Sequence, residues 1–407
     1  MEIITIIYLI LIFASLYVSF LFLILFIKNK QDMFKDKISK NLPFLSVIIP
    51  AYNEEKTIEK TITAIKNSNY PNKKLEIIVV NDGSTDNTLN ILKNIKKIKI
   101  ISKPNTGKAD SMNQGIKQAK GEFIAIVDAD SYIEKNAFLN MMDYFKDEKV
   151  GAVTGAILVR KQGKLIERLQ AIEYTIIAWT RKLMEFIGSV FATPGPLSIY
   201  RKKVLKEIGG FDTKAWTEDI DITWNILKHG YKTKMCLSAR TYTTVPNSLK
   251  KWWKQRNRWN AGGLQVVNKY KDTFLRKKYG QLGYFIWPFF TSFYILSITG
   301  FFIYIFLLLR SSLKYFLTVR YAHLAELPLI KAFSFILTPT VFTFFIAVLF
   351  TLSLIYALFA FKTIVQKNKI DLKYGYYLII YLLFYLLLNP VVLVHSIYKV
   401  ITGNMTW

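Results

Sequence analysis

Cysteine and histidine are scarce in this sequence. Its 407 residues include one cysteine, Cys236, and three histidines. A single cysteine excludes an internal disulfide and a cluster of cysteine ligands around a metal ion, and three scattered histidines argue against a zinc site. The glycine patterns G-x-G-x-x-G and G-x-x-x-x-G-K-S/T, which bind dinucleotides and triphosphates, follow none of the predicted strands. Any phosphate that the chain binds is therefore expected to be held by other groups.

Acidic residues are also few, 28 against 55 lysines and arginines, so the formal net charge is +27. A charge of this size calls for an anionic partner, and nucleic acid is one alternative. The sequence lacks a recognition element on which basic and aromatic residues cluster, and its hydrophobic content of 52% is high for a soluble protein. Anionic lipid headgroups and a polyphosphate ligand account for the charge better, and we expect no nucleic-acid partner.

Long apolar runs dominate both ends of the chain. Four of them, at residues 3–27, 284–309, 333–361 and 375–398, exceed the roughly 20 residues that cross a bilayer. Residues 1–30 predict an N-terminal transmembrane helix, uncleaved because Met1-Glu2 lacks a basic leader and no small-residue cleavage site follows. Residues 284–407 predict a C-terminal transmembrane region of about three spans.

The third run is longer than a span requires and carries Pro339. It predicts a tilted or kinked helix, with a re-entrant hairpin as the alternative. Another interpretation of all four runs is that they are buried helices of a large soluble protein. So many charge-free runs of this length rarely coincide in soluble folds, which favours the membrane interpretation.

Basic residues set the predicted orientation. Five lysines follow the first run and place the large middle segment on the cytoplasmic side by the positive-inside bias: Lys28, Lys30, Lys35, Lys37 and Lys40. Four spans then put both termini outside, in a multi-pass protein of the cell membrane. The segment after the second run, predicted as an outer loop or as a segment along the interface, is about as basic as the inner loop after the third. These two segments carry Arg310, Lys314, Arg320 and Lys331, and Lys362, Lys367, Lys369 and Lys373, respectively.

The middle segment alternates between strand and helix patterns. Short apolar runs at 45–49, 75–80, 98–102 and 123–127 predict buried parallel strands, and residues 54–67 and 86–96 have helical spacing. The predicted fold is a Rossmann-like α/β domain with a mostly parallel sheet. Ligands of such sheets collect at the carboxyl ends of the strands. Polar residues follow those ends here: Tyr52, Asn53, Glu54, Asp82, Asp128 and Asp130.

The spacing of Asp128 and Asp130 suits a metal ion. Two carboxylates one residue apart on a loop can reach a single Mg2+ or Mn2+ and leave coordination positions open for diphosphate oxygens. Lys108 can add a point charge to the same group. The alternative is that Asp128-Ala129-Asp130 caps a helix beginning near Ser131. Their position after a buried strand, alongside Asp82, favours the metal site.

Two later clusters also have two interpretations. Thr217-Glu218-Asp219 can supply a carboxylate base, or its acidic residues can begin a helix at the positive end of the dipole. The cluster from Gln255 to Trp259 predicts a basic amphipathic helix at the membrane, with Trp252, Trp253 and Trp259 at headgroup depth. The same helix can also point Arg258 toward a ligand, so both roles are expected there.

Residues 165–187 have apolar side chains at helical spacing, with basic residues and a tryptophan interspersed. They predict an interfacial helix that holds the middle segment on the membrane, with a core helix of the α/β domain as the alternative. The following Thr193-Pro194-Gly195-Pro196 ends this helix and is expected to form part of a wall facing the acceptor.

Six of these motifs occur in the order found in membrane-embedded family 2 glycosyltransferases. They are Pro50-Ala51-Tyr52-Asn53-Glu54-Glu55, Asn81-Asp82-Gly83-Ser84-Thr85-Asp86, Gly107-Lys108-Ala109, Asp128-Ala129-Asp130, Thr217-Glu218-Asp219 and Gln255 to Trp259. The chain therefore resembles that group, which includes cellulose, chitin, hyaluronan and poly-N-acetylglucosamine synthases. The resemblance covers about residues 44 to 265. It implies a cytoplasmic GT-A domain at 44–245, an interfacial region with the QxxRW motif at 246–283, and flanking spans.

The resemblance also implies roles on the donor side. Tyr52, Glu54 and Asp82 match positions that hold the nucleotide base and ribose of a nucleotide-sugar. Lys108 and Asp128 match contacts to the nucleotide. Asp130, with Asp128 beside it, matches the ligand of a divalent Mg2+ or Mn2+ ion.

On the acceptor side, the resemblance makes Asp219 the general base, with Glu218 beside it. Gln255, Arg258 and Trp259 match the motif that binds the diphosphate and closes the acceptor site. Arg256 lies at a variable position of that motif, and the resemblance assigns it no role. A displacement in one step inverts the anomeric centre, so the paired carboxylates of hydrolases are not required.

Three functions fit these motifs. The first is a processive enzyme that extends a β-linked polysaccharide from a nucleotide-sugar and passes it across the membrane. The second adds one sugar to a lipid acceptor, and the third is an inactive nucleotide-sugar-binding scaffold. We expect the first, because the QxxRW motif precedes several spans and both the Asp-x-Asp pair and the base are present. The architecture resembles poly-N-acetylglucosamine or hyaluronan-type synthases, which makes UDP-N-acetylglucosamine the expected donor and leaves room for an accessory membrane subunit.

Overall fold

The computed structural model describes residues 3–34, 42–324, 341–365 and 372–403. One sheet of eight strands forms the centre of the middle segment, in the order β3-β2-β1-β4-β7-β6-β8-β5. The strands are β1 Leu45–Ala51, β2 Leu75–Asp82, β3 Lys99–Lys103, β4 Phe123–Ile126, β5 Tyr132–Ile133, β6 Val150–Val159, β7 Ser198–Arg201 and β8 Lys232–Thr243.

The four predicted strands are β1 to β4, and they pair in parallel with one another. This half of the sheet confirms the predicted α/β fold, and antiparallel pairing begins where β7 joins β4. Strand β1 does not end at Pro50 but continues through Ala51, which pairs with Asn81. Its pairing with β4 stops at Ile48, and we infer from the ladder alternation that the missing N–H of Pro50 faces this unpaired side. Proline is tolerated at such positions.

Twelve α-helices accompany the strands within the described residues. They are α1 Ile3–Asn29, α2 Ile58–Lys66, α3 Thr88–Lys93, α4 Lys108–Gln118, α5 Ala137–Met142, α6 Leu165–Phe186, α7 Lys202–Glu207, α8 Glu218–Lys228, α9 Leu249–Lys269, α10 Trp287–Leu324, α11 Val341–Val365 and α12 Leu372–Thr402.

The two predicted helices of the middle segment begin later than expected, at Ile58 and Thr88 instead of residues 54 and 86. The residues before them form hydrogen bonds between two loops. Asn53 Oδ1 accepts the N–H of Thr85 at 2.8 Å, and the Glu54 N–H donates to Thr88 Oγ1 at 2.8 Å. These bonds join the segments that follow β1 and β2, because the carboxyl ends of adjacent parallel strands lie side by side.

Helices α6 and α9 lie between the sheet and the long apolar helices. Helix α6 packs against β6 and β8 on one side and against α1, α11 and α12 on the other. Its Arg181 and Lys182 are buried, so they do not face lipid headgroups as expected for an interfacial helix. Helix α9 packs on α12, where Trp252 is fully buried against Phe384 and Tyr385. Trp252 therefore belongs to a helix contact and not to the predicted headgroup layer.

Four helices are long and apolar enough to cross a membrane: residues Thr5–Asp32, Leu282–Tyr321, Ala347–Val365 and Tyr374–Thr402. They correspond to the four predicted runs. Pro339 and residues 333–340 of the third run lie outside the described residues, as do Lys35, Lys37, Lys40, Lys331, Lys367 and Lys369. Helix α10 has 38 residues and continues through Arg310, Lys314 and Arg320, which are therefore helical and not part of an irregular loop.

Candidate active site

A cleft of about 360 Å³ opens where β1, β2 and β4 end. Its lining includes six of the nine residues that the sequence predicted for the nucleotide-sugar and the metal, namely Tyr52, Glu54, Asp82, Lys108, Asp128 and Asp130, and lacks Gln255, Arg258 and Trp259. These side chains come from four separate segments of the chain. They meet because parallel strands deliver their carboxyl ends to one edge of the sheet.

Asp82 fixes the loop that leads into α4. Its Oδ1 accepts the N–H of Thr106 and its Oδ2 accepts the N–H of Gly107, both at 2.9 Å, and Lys103 forms an ion pair with it. Gly107 has a φ of 97°, which favours glycine. Asp82 was predicted to contact a nucleotide. In the structure its two oxygens already accept these backbone N–H groups, and they set the position of Lys108, the first residue of α4.

Lys108 joins two carboxylates across the cleft. Its Nζ lies 2.7 Å from Asp128 Oδ1 and 3.0 Å from Glu218 Oε1. Desolvation lowers the pKa of Lys108, but these two carboxylates outweigh it and hold the pKa above its usual range. The ammonium group therefore stays charged at neutral pH. It connects Asp128, which follows β4, to Glu218 at the start of α8, 90 residues further along the chain.

Two threonines orient Asp130: Thr243 is the last residue of β8, and Thr244 follows it. Thr244 Oγ1 donates to its Oδ2 at 2.5 Å, and Thr243 Oγ1 donates to its Oδ1 at 3.3 Å. Burial raises the pKa of Glu54, and the neighbouring Asp130 and Asp128 raise it further although Thr57 opposes them. Three carboxylates thus influence one another along this wall of the cleft.

The donor set of Asp128 and Asp130 fits Mg2+ or Mn2+. Such ions are commonly held by one or two protein carboxylates, with water or substrate phosphates completing the coordination. No group of three or more His, Cys, Asp or Glu side chains that could enclose a metal occurs within residues 3–34, 42–324, 341–365 and 372–403. Asp128 and Asp130 would therefore supply two carboxylates to such an ion, which is the number that open sites commonly provide.

Asp219 lies at the start of α8, directly after Glu218. Burial raises the pKa of Asp219, the adjacent Glu218 raises it further, and Lys108 and Arg258 oppose that rise. Glu218 behaves differently. Its own burial is outweighed by Lys108 and Arg258, which hold its pKa below the usual range. Two neighbouring carboxyl groups thus differ in proton affinity, as in sites where one takes up a proton and the other stays ionised.

The QxxRW motif lies on α9, outside the lining of the 360 Å³ cleft. Arg258 Nη1 donates to the Trp216 carbonyl at 3.3 Å, just before Glu218 and Asp219. Gln255 Oε1 accepts a hydrogen bond from Arg256 Nη1 at 3.3 Å, and the Arg256 guanidinium lies over the Trp259 ring. The structure therefore brings Arg258 toward the acidic pair, while Gln255 and Trp259 interact with Arg256.

The predicted turn at Thr193 to Pro196 borders the Lys108 and Asp128 ion pair. The Gly195 carbonyl accepts the N–H of Asp128 at 3.1 Å. A Cβ atom added to Gly195 would lie 2.5 Å from Asp128 Oδ1 and 2.6 Å from Lys108 Nζ. That this turn faces an acceptor stays a prediction, and in the structure the turn lies against the Lys108–Asp128 pair of the cleft. A larger residue at position 195 would therefore require the Lys108 and Asp128 side chains to shift from these positions.

Replacing Gly195 by Ala is expected to raise the KM for the nucleotide donor. The added methyl group crowds the Lys108–Asp128 pair, and crowding of this kind costs roughly 1–3 kcal/mol, or about 5- to 150-fold in affinity. Nucleotide titration of the purified protein measures the change. Gly163→Ala is the matched control, because its Cβ would meet only Glu167 Oε2, at 3.5 Å. Equal affinities of the two variants would contradict the prediction.

Sequence reasoning assigned no role in this site to three buried charged residues near it: Glu173, Arg181 and Arg256. Burial lowers the pKa of Arg181 to about 10, and the negative charge of Asp219 opposes that fall. The Arg181 Nε has no hydrogen-bond partner within the described part of the chain. Glu173 offered a signal, because it lies four residues after Leu169 and three before Ile176, on the apolar face of α6.

The chain is similar in sequence and in fold to known proteins. Residues 46–209 match the model of the family described as "Glycosyl transferase family 2". The chain is 36% identical over 229 residues to a poly-beta-1,6-N-acetyl-D-glucosamine synthase of Staphylococcus epidermidis, covering 55% of each chain. It is 34% identical over 247 residues to a synthase of the same name from Staphylococcus aureus, covering 59% of this chain and 58% of that one. The matches thus span little more than half the length of these curated relatives.

Among solved structures, the chain is similar to a mannosyltransferase from Pyrobaculum calidifontis in complex with GDP-Man and Mn2+. The TM-score is 0.56 at 19% sequence identity, and the match covers 92% of this chain and 97% of that one. At this identity the likeness shows a shared fold alone. It extends over both the sheet domain and the long apolar helices.

Proposed function

We propose, on the premise that residues 46–209 are a family 2 glycosyltransferase domain, that the chain is an inverting, processive glycosyltransferase. Its donor is a nucleotide-sugar, with UDP-N-acetylglucosamine as the expected one, and its acceptor is a growing β-linked polysaccharide. The observation that carries this proposal is the Lys108 contact to both Asp128 and Glu218. This contact joins the cleft at the strand ends to the acidic pair at the start of α8.

The donor side of the proposal rests on the cleft residues. Tyr52, Glu54 and Asp82 line the part of the cleft assigned to the base and ribose. A divalent metal held by Asp128 and Asp130 would supply Lewis-acid stabilisation of the diphosphate. Lys108 from the cleft, and Arg258 from beside the adjoining acidic pair, are proposed to stabilise the negative charge that develops on the leaving group.

The acceptor side rests on the difference between Glu218 and Asp219. The acceptor hydroxyl oxygen forms a bond to the anomeric carbon while the bond from that carbon to the diphosphate oxygen breaks. Asp219, whose pKa is raised by burial and by Glu218, takes the hydroxyl proton. Glu218 stays ionised and holds Lys108. Attack opposite the leaving group inverts the anomeric centre, and Trp259 is proposed to face the acceptor sugar.

The long apolar helices extend the proposal to the membrane. Four helices have the length and composition of spans, and Lys28 and Lys30 lie at the C-terminal end of the first of them. We assign the catalytic domain to the cytoplasmic side of the cell membrane by the positive-inside bias. The polymer would then leave across the bilayer through the α-helical region. The names of the curated relatives favour a β-1,6-linked N-acetylglucosamine polymer as the product.

The product made by the purified chain tests this function. In detergent with Mn2+ and UDP-N-acetylglucosamine, we expect release of UDP and formation of a long polymer, measured by a coupled UDP assay and by size-exclusion chromatography. A panel of other UDP- and GDP-sugars identifies the donor. A product consisting of lipid with one sugar would replace the processive function by single transfer. If no donor leads to nucleotide release, the chain would instead be an inactive nucleotide-sugar-binding scaffold.

A further inference from the structure

A buried ion pair connects the QxxRW helix to α6. Arg256 of α9 contacts Glu173 of α6 through Nη2 and Oε2, and both residues are less than a tenth exposed. The Tyr385 hydroxyl of α12 donates to the same Glu173 oxygen at 2.6 Å. Three helices therefore meet at one carboxylate.

The ion pair also fixes an aromatic ring. The Arg256 guanidinium carbon lies 4.1 Å from the centroid of the Trp259 ring and 5.6 Å from that of Trp252. Trp259 has Tyr174 as a further ring neighbour, with centroids 6.4 Å apart and an interplanar angle of 45°. A guanidinium over an indole face is attractive, and burial strengthens the attraction. Arg256 thus restricts where the Trp259 ring can lie.

Helix α12 adds further side-chain contacts to α9. Trp252 Nε1 donates to Tyr385 Oη at 3.3 Å, and Trp253 Nε1 donates to His395 Nδ1 at 3.1 Å. Ser396 Oγ donates to Asn257 Oδ1 at 2.9 Å. These bonds fix the register of α9 against an apolar helix, and the ion pair transmits that register to Trp259.

We infer that Arg256, held by Glu173 and Tyr385, is a positioning residue that sets the Trp259 ring for the acceptor sugar. The inference rests on the proposed function, in which Trp259 faces the acceptor. A buried ion pair adds little to stability relative to apolar residues of similar volume, and fixing a register is its best-attested use. Misplacement of a positioning group by about 1 Å can cost a hundredfold in rate. The QxxRW helix is thus set by α6 and α12 together.

Glu173→Gln tests the inference, with Glu185→Gln as the matched control. Glu185 lies on the same helix and forms an equally buried ion pair with Lys182, at 2.8 Å. That pair contacts the Met235 backbone and not α9. We expect Glu173→Gln to lower sugar transfer to an added oligosaccharide acceptor by roughly ten- to a hundredfold, with an unchanged KM for the donor. Glu185→Gln is expected to lower the Tm without this loss.

Arg256→Lys and Tyr385→Phe provide milder variants if Glu173→Gln does not fold. Lysine keeps the charge but loses the planar fork, so transfer should fall in the same direction. The fluorescence of Trp259 is obtained by subtracting the spectrum of the same protein carrying Trp259→Phe from the spectrum of each protein. This measurement does not depend on activity. We expect it to change in Glu173→Gln and not in Glu185→Gln.

Two outcomes separate the inference from the proposed function. Wild-type transfer and unchanged Trp259 fluorescence in Glu173→Gln would overturn the inference alone. A wild-type chain that transfers no sugar would overturn the proposed function, while the fluorescence comparison would still decide whether Arg256 and Glu173 position Trp259.

Discussion

Asp219→Asn is expected to lower the rate of sugar transfer by about 100- to 10,000-fold, the usual contribution of a general base. Asparagine keeps the shape of the side chain but cannot accept the hydroxyl proton. Binding of the nucleotide should change little, because Lys108 contacts Asp128 and Glu218 and not Asp219. Steady-state UDP release and calorimetric titration with UDP measure the two effects separately.

Asp221→Asn is the control for this prediction. Asp221 lies two residues further along α8, is buried, and pairs with Lys269 at 2.6 Å, so its loss should affect stability and not proton transfer. Because the pKa of Asp219 is raised, wild-type activity should fall on the acid side at a higher pH than an ordinary aspartate would give. Full activity of Asp219→Asn would remove Asp219 as the base.

Asp130→Asn and removal of divalent metal are expected to have the other large effect. Stabilisation of a leaving diphosphate by a metal is worth several kcal/mol, so chelation should abolish transfer and Mn2+ or Mg2+ should restore it. Asparagine at position 130 loses the charge that attracts the ion. We expect the Mn2+ concentration for half-maximal UDP release to rise by an order of magnitude or more.

Thr244→Val refines the metal experiment. It removes the 2.5 Å hydrogen bond that orients Asp130 without removing the carboxylate. The loss of such a supporting bond typically costs about 10- to 100-fold in metal affinity or activity, so Thr244→Val should lie between wild type and Asp130→Asn. Asp147→Asn, at an exposed ion pair with Lys232, should leave the metal dependence unchanged. A chelated wild-type protein that retains full activity would refute the metal requirement.

The parts of the site that sequence could predict are those encoded by neighbouring residues. A buried apolar run followed by polar residues identifies a strand end, and Glu54, Asp82 and Asp128 were placed on the cleft in this way. The start of α8 at Glu218 follows from the acidic first turn for the same reason. Local sequence patterns are enough to predict a site residue when the same short segment forms the strand or helix and carries the functional side chain.

Contacts between distant segments could not be predicted from such patterns. Glu173 and Arg256 are 83 residues apart, and neither sequence position indicates its partner. Gly195 was predicted only as part of a turn, because its contact with the Lys108–Asp128 pair depends on how that turn packs. Residues 310–324 were predicted as a loop or interface segment, yet they continue α10. Charged residues end an apolar run but not a helix, and no glycine or proline interrupts residues 301–324.

The contact of Lys108 with both Asp128 and Glu218 affects which anions can bind in the cleft. Lys108 contacts Asp128 and Glu218, and each of these carboxylates has a further acidic neighbour, Asp130 and Asp219 respectively. We expect this edge of the sheet to disfavour an anion that arrives without a cation, relative to a nucleotide that carries its own divalent ion. The carboxylates beside Lys108 would then favour binding of the nucleotide and its cation together.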